Sequence, residues 1–212
     1  MKTFAFIDAS NLFYGGKKSL GWSIDYKKLL EYLKEKYNVE RIYFFGGIEI
    51  HRFPFDYLAH ETVPVRELEN HLHAHITTHG ARLSDAQLLL IDHHLQRTRF
   101  YRKLEEFGYT LILKPVKTYE DEHGHARRKA NRDVDMTYFL MRERNKFERA
   151  LILSGDGDFL PVLKFLRSEG KEVLVLARGP RTAREIRRFA GSNFRDFEYL
   201  RELLKRDSDD KI

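Results

Sequence analysis

Apolar residues along the chain recur with two different periods, and the way these alternate predicts the architecture. Short runs rich in Phe, Ile, Val and Leu read as strands at 4–8, 41–50, 109–116, 150–156 and 172–177. Between them the apolar positions return every three or four residues, the spacing of one helix face. SIDYKKLLEYLKEKY sets Tyr26, Leu29, Leu30 and Leu33 on one side and offers Ser23 or Asp25 as a start signal. Further helices are predicted at about 134–145, 159–169 and 182–189. Strands alternating with helices predict an α/β fold, a Rossmannoid three-layer arrangement around a mostly parallel sheet of about five strands. The exception is 51–107, where two helical patterns follow one another. One spans 65–79 and stops at Gly80; the other spans 84–107 and opens on Ser84 with Asp85 behind it. That is long for one crossover, and it is expected as a helical insertion projecting from the sheet as an arm or lid. The remainder reads as a single domain over 1–205 with a polar tail at 206–212.

Composition narrows the setting. The chain has 212 residues, 42% apolar and 33% charged, with a mean hydropathy of -0.55. Its longest apolar runs are strand-sized, and Asp8 interrupts the N-terminus before a signal-peptide core develops, so no membrane span and a cytoplasmic location are expected. The absence of cysteine removes disulfides, thiolate catalysis and sulfur-ligated zinc together. The net charge is +6, and the cations gather in RRKANR (127–132), RGPRTAREIRR (178–188) and RTRFYRK (97–103). Such a surface attracts phosphate polymers through counterion release, although basic helix faces are also commonly just solvated. In the third segment, Phe100 and Leu104 suit a core stripe better than a base-stacking surface.

The acids carry the chemistry. In open parallel sheets, side chains at the carboxyl ends of strands converge on a crevice where strand order reverses. Asp8 ends the first predicted strand, Asp156 and Asp158 end the fourth in LILSGDGDF, and Asp135 opens a helix with Asp133 two residues earlier. Two carboxylates about 4 Å apart repel by roughly 4 kcal/mol at an effective dielectric near 20, so such a cluster favours protonation, separation or a bound cation. Oxygen donors without sulfur favour Mg²⁺ or Mn²⁺, and phosphodiester hydrolysis is a reaction such ions promote. The structural alternative is that SGDGD makes a plain strand-to-helix turn with Asp158 as N-cap, and that Asp133 caps the next helix. Asp8 has no obvious helix start to cap, and Asn11 stands three residues on.

Other constellations are weaker. GGKKS (15–19) lacks the first glycine of a phosphate loop and has Lys where Ser or Thr belongs. His71, His75 and His79 recur at helical spacing, with His73 between them and His93 and His94 later. Without an HExxH motif, they read as a polar helix face or a stretch near substrate rather than a metal site. A dehalogenase-like phosphatase would need an acid where Ser10 stands.

Taken together, FIDASNLF, the Val-Asp of RDVDMT, LILSGDGDFLPVLKFLRSEGKEVLVLA and the trailing EIRRFAGSNFRDF resemble the NYN domain family. These are PIN-like nuclease relatives that include LabA-type bacterial proteins. The likeness covers about 1–47 and 109–200. It implies a PIN-like fold and a Mg²⁺- or Mn²⁺-dependent ribonuclease with RNA as partner. By position, it implies Asp8, Asp135, Asp156 and Asp158 as metal-holding and catalytic acids, with Asn11 beside Asp8. Asn11 and Ser154 would touch the scissile phosphate, and Lys129, Arg132 and Arg128 would bind its neighbours. Where the family has Lys-Gly-Val-Asp, this chain has Arg132, Asp133, Val134 and Asp135. Either Asp133 or Asp135 is therefore the third acid, and the preceding Val134 favours Asp135. The rival expectations are a non-catalytic RNA-binding or regulatory module and a phosphatase. Apolar helix faces in 51–107 also make a homo-oligomer through that segment an expectation.

Overall fold

The first strand, β1 (Thr3–Asp8), is buried at every position, as a continuous apolar run with covered faces on both sides must be. Its side chains alternate between two cores. Ala5 and Ile7 enter one, while Phe4 and Phe6 enter the other. This computed structural model describes residues 1–10, 21–120, 126–129 and 132–206, with backbone only at 117–120 and 126–129.

In chain order, the remaining elements begin with α1 (Tyr26–Tyr37), β2 (Val39–Ile48), α2 (Val65–His79) and α3 (Asp85–Phe107). They continue with β3 (Thr110–Pro115), β4 (Lys117–Glu120), β5 (Ala126–Lys129), α4 (Asp133–Glu143) and β6 (Arg149–Leu153). The last are α5 (Leu160–Ser168), β7 (Glu172–Ala177), α6 (Arg184–Ala190), β8 (Phe194–Asp196) and α7 (Arg201–Leu204). Six strands form one sheet in the order β3-β2-β1-β6-β7-β8, and every pair is parallel. β4 and β5 form a separate antiparallel hairpin. Helices cover both faces, since α1, α2, α3 and α7 share the core of Ile7 while α4, α5 and α6 share that of Phe6. The expected α/β three-layer fold is therefore present, with one more strand than the apolar runs indicated. β8 escaped notice because FRD is short and only partly buried.

Local sequence explains the helix starts. Asp25 caps α1 by accepting from the N–H groups of Lys27 and Lys28 at 2.8 and 3.0 Å. Ser84 and Gln87 form a reciprocal capping box at the head of α3. The helices of 51–107 do not stand clear of the sheet. Leu68 and Leu72 of α2 and Ile91, Tyr101 and Leu104 of α3 are almost wholly buried in the same core as α1. Only the start of α3 presents Leu89 and Leu90 to solvent. Tyr101 ties the segment to β2 by donating to the Gly47 carbonyl at 2.9 Å. Tyr101→Phe leaves that carbonyl with one fewer partner in a buried setting, and chemical denaturation should show a loss of about 1–3 kcal/mol.

Candidate active site

The strand order reverses between β1 and β6. Chain connections run outward from β1 through β2 to β3 on one side, and from β6 through β7 to β8 on the other. The ends of these two central strands diverge in their connections, which opens a crevice at their carboxyl edge. Ile7 lies opposite Leu153, so the next residues, Asp8 and Ser154, meet at the lip. Ser154 donates from Oγ to Asp8 Oδ2 at 3.3 Å and accepts from the Asp156 N–H at 3.2 Å. Two hydrogen bonds thus connect acids 148 positions apart in the chain.

Asp8 is 3% exposed, and burial of a carboxylate requires compensation. Its Oδ1 accepts from the Ser10 N–H at 2.9 Å and from Ser10 Oγ at 2.6 Å. Residues 9 and 10 are helical, so Asp8 does act as a cap, contrary to the sequence expectation. Asp156 accepts from the Asp158 N–H at 3.0 Å and caps the single turn Gly157–Phe159. The capping role falls to Asp156 and not to Asp158, which is exposed.

The third acid is where sequence and structure part. On a helix, residues two apart point about 200° away from each other, so Asp133 and Asp135 cannot face the same crevice. Asp135 turns to Lys114 at the end of β3, 3.3 Å away, and lines a separate 220 Å³ hollow with Tyr57, Glu61 and Tyr138. Asp133 turns to the crevice. Burial, then the charges of Asp8 and Asp156, push its carboxyl pKa above the ordinary value; Arg132 pulls against this and Asp158 adds to it. Of the two acids the sequence offered, Asp133 is thus the one that feels Asp8 and Asp156, while Asp135 pairs with Lys114.

A cleft of 740 Å³ opens on Asp8 and Asp156 and is lined also by Ser10, Arg181, Arg184 and Arg187 among others. Thr182 closes its floor, donating from Oγ1 to the Arg178 carbonyl at 2.7 Å, while the Ala183 N–H donates to the Gly155 carbonyl at 2.9 Å. The three arginines are exposed and come from the basic run 178–188. Their role was open to discovery, since Arg184 and Arg187 sit at helical spacing directly after a Gly-Pro turn. The arginine nominated from the other run, Arg132, is half-buried at the head of α4. The side chains of Arg128 and Lys129, and all of Asn11 and GGKKS, lie outside the described residues.

Does the donor set suit a cation? Asp8, Asp133, Asp156 and Asp158 offer carboxylate oxygen only, the chemistry of a hard divalent ion. Burial first, and then repulsion from Asp8 and Asp156, raises the proton affinity of Asp133, and such an ion relieves the second of these. Among the described residues, no three acids or histidines stand close enough as arranged to hold one, so carboxylate rotation would have to accompany binding.

The histidines occupy a different place, beyond the end of β2. His71 and His75 are half-buried against the loop carrying His51, whereas His73 and His79 are exposed. The polar-face reading therefore fits His73 but not His71 or His75. Burial, then the neighbouring His75 and His94, lowers the pKa of His51; burial, then His79, lowers that of His75. The segment RTRFYRK packs as expected, with Tyr101 and Leu104 buried and Phe100 against the core.

Known proteins resemble this chain in family, in sequence and in fold. The sequence model of the NYN domain matches residues 69–198, which takes in α3 and most of α2. The low amplitude and bright protein LabA of Synechococcus elongatus is 23% identical over 205 residues, 95% of this chain and 86% of its own length. A solved protein of unknown function from Vibrio parahaemolyticus superposes with a TM-score of 0.57 at 16% identity, over 88% of this chain and 87% of that one. The T5 D15 protein co-crystallised with metal ions reaches a TM-score of 0.44 at 13% identity, over 88% of this chain and 59% of its own.

Proposed function

This chain belongs to the NYN domain family, and on that footing we propose that it is a metal-dependent ribonuclease acting at the β1/β6 crevice. The observation that carries the reading is that Asp8 and Asp156 line a cleft walled by Arg181, Arg184 and Arg187, with Asp133 near enough to feel both of their charges. Acids alone would repel a phosphate polymer; arginines alone would bind it without reaction. Side by side, the arginines hold the phosphates flanking the scissile one by charge-assisted hydrogen bonds. Asp8, Asp133 and Asp156 would hold a Mg²⁺ or Mn²⁺ ion, and Asp158, exposed beside them, would hold a second ion or orient the attacking water. Bound there, a divalent ion offsets negative charge on the phosphoryl group and lowers the pKa of water. Ser154 fixes the spacing between Asp8 and Asp156, and its burial excludes water from beneath the acids. The preference for RNA over DNA rests on family resemblance, not on any contact in the cleft. The chain works as one unit in this reading, with α2 and α3 buttressing β2 and β3.

A non-catalytic RNA-binding module is the second reading, favoured by the spread of the acids among the described residues. Purified protein incubated with labelled RNA, labelled DNA and a small phosphate ester, with Mn²⁺ or with chelator, separates the possibilities. Cleavage of RNA alone, abolished by chelator, is expected. RNA bound but uncut would leave the binding module, and hydrolysis of the ester with RNA intact would leave a phosphatase.

The choice of third acid has its own test. Asp133→Asn should lower cleavage by roughly a hundredfold or more, while Asp135→Asn, which only loosens the Lys114 contact, should cost less than about tenfold. Stability gives an independent sign. The pKa of Asp133 is higher in the folded state, so its stabilising protonation is present in acid and lost as pH rises through that pKa. Asp133→Asn should therefore hold or raise the melting temperature at neutral pH while removing activity.

A further inference from the structure

Four histidines from three segments meet on one side of α2. The His51 and His75 rings lie 4.8 Å apart between centroids, His75 and His79 lie 4.9 Å apart, and His51 and His94 lie 6.0 Å apart. Three of these four rings are half-buried. The Nε2 atom of His51 is buried and has no hydrogen-bond partner, an arrangement that calls for an explanation. The backbone holding it is unusual as well. His51 and Arg52 are consecutive non-glycine residues with φ of 33° and 60°, a conformation that concentrates at functional sites. Nor is the loop loose, because His71 Nε2 lies 3.1 Å from the His51 carbonyl and Phe53 packs edge-on against the His71 ring at 5.5 Å.

We propose that His51, His75 and His79, with His94 at the margin, form a binding site for a borderline transition-metal ion of the Zn²⁺ class. Two histidines one helical turn apart are a chelating pair, and His51 supplies a third nitrogen from the facing loop. With metal–nitrogen bonds of about 2.0–2.1 Å, two imidazoles on one tetrahedral ion have centroids about 5 Å apart. Both pairings of His75 meet that spacing. The nitrogens do not yet surround one point. Closing them requires ring rotation about χ2, a broad torsion in histidine. The contact of His71 with the His51 carbonyl makes it a positioning residue that fixes the loop on which the ligand stands. Imidazole nitrogen is a softer donor set than the oxygen-only crevice, so the two sites would sort different ions. Arg52 beside His51 and His75 opposes a cation, which gives the site a signed prediction.

The test is direct titration of the full chain with Zn²⁺ against a chromophoric chelator. One equivalent is expected to bind, and His51→Gln and His75→Ala should each weaken it tenfold or more. Arg52→Ala should tighten it. His73→Ala and Asp8→Asn should leave it unchanged, and circular dichroism should show all variants folded. Absence of Zn²⁺ binding, or binding indifferent to His75 and lost with Asp8, would overturn the proposal. Because Asp8 governs the crevice and His75 does not, failure here leaves the ribonuclease reading standing, and the reverse also holds.

Discussion

Asp8→Asn is expected to reduce RNA cleavage by roughly 10²- to 10³-fold, with the melting temperature unchanged or higher. Asparagine keeps the shape and can keep the hydrogen bonds. Its carbonyl oxygen accepts from the Ser10 N–H and Oγ as the carboxylate does at 2.9 and 2.6 Å, and its amide can donate toward Ser154 Oγ. What disappears is one negative charge at a position 3% exposed. In the fold, that charge is offset by donors from Ser10 and Ser154 and opposed by neighbouring acids. For a divalent ion, the same charge is an anchor. The substitution therefore separates the two roles, and the pair of measurements is cleavage rate and thermal unfolding on the same preparation. A variant that melts much earlier would show that the charge itself supports the fold, and a variant that cleaves at the unmodified rate would remove Asp8 from the site.

Gly155→Ala is expected to damage both fold and turnover. An added Cβ would stand 2.7 Å from Thr182 Oγ1, 2.9 Å from Thr182 Cα and 3.1 Å from Thr182 Cβ. The first of these atoms could swing aside, but the second is backbone, and the third follows it. Thr182 is itself pinned, being buried and donating to the Arg178 carbonyl. Relief must come from parting the loop after β6 from the segment that carries Arg181 and Arg184, and the 2.9 Å hydrogen bond between Ala183 N–H and the Gly155 carbonyl opposes that. Overpacking of this kind costs about 1–3 kcal/mol. Asp156 moves with its neighbour, and a displacement of about 1 Å in a reacting group can cost on the order of a hundredfold in rate. Gly170→Ala is the control. Unlike Gly155, it strains a positive φ, but its Cβ meets nothing within 4 Å and it lies beyond the far end of α5, so stability should drop slightly and cleavage per folded molecule should not.

Much of the core was visible in the sequence because burial on both faces leaves strands no polar positions. TFAFID and EVLVLA admit hardly any other reading, and their observed limits differ little from the apolar runs. Helix ends were visible where a side chain does the capping, as at Asp25 and Ser84. They were equally visible at α2, where Pro64 makes no side-chain bond to the helix and the apolar period marked its limits. β8 and the β4/β5 hairpin were missed. Their residues are short, charged runs whose pairing is decided by neighbours rather than by their own composition.

The sequence by itself determined which residue types are available: acids closing two apolar strands, arginines after the last long one, and no cysteine anywhere. It also determined the alternation of elements, since periodicity is a local property that every segment carries with it. Only the tertiary structure decided which acid of RDVDMT faces the crevice, because the answer depends on the rotation of α4 against the sheet. The same is true of the arginines that reach the acids and the histidines that reach one another. Those are matters of distance across a packed core, and distance between remote segments is set by the sum of all contacts rather than by any stretch of chain.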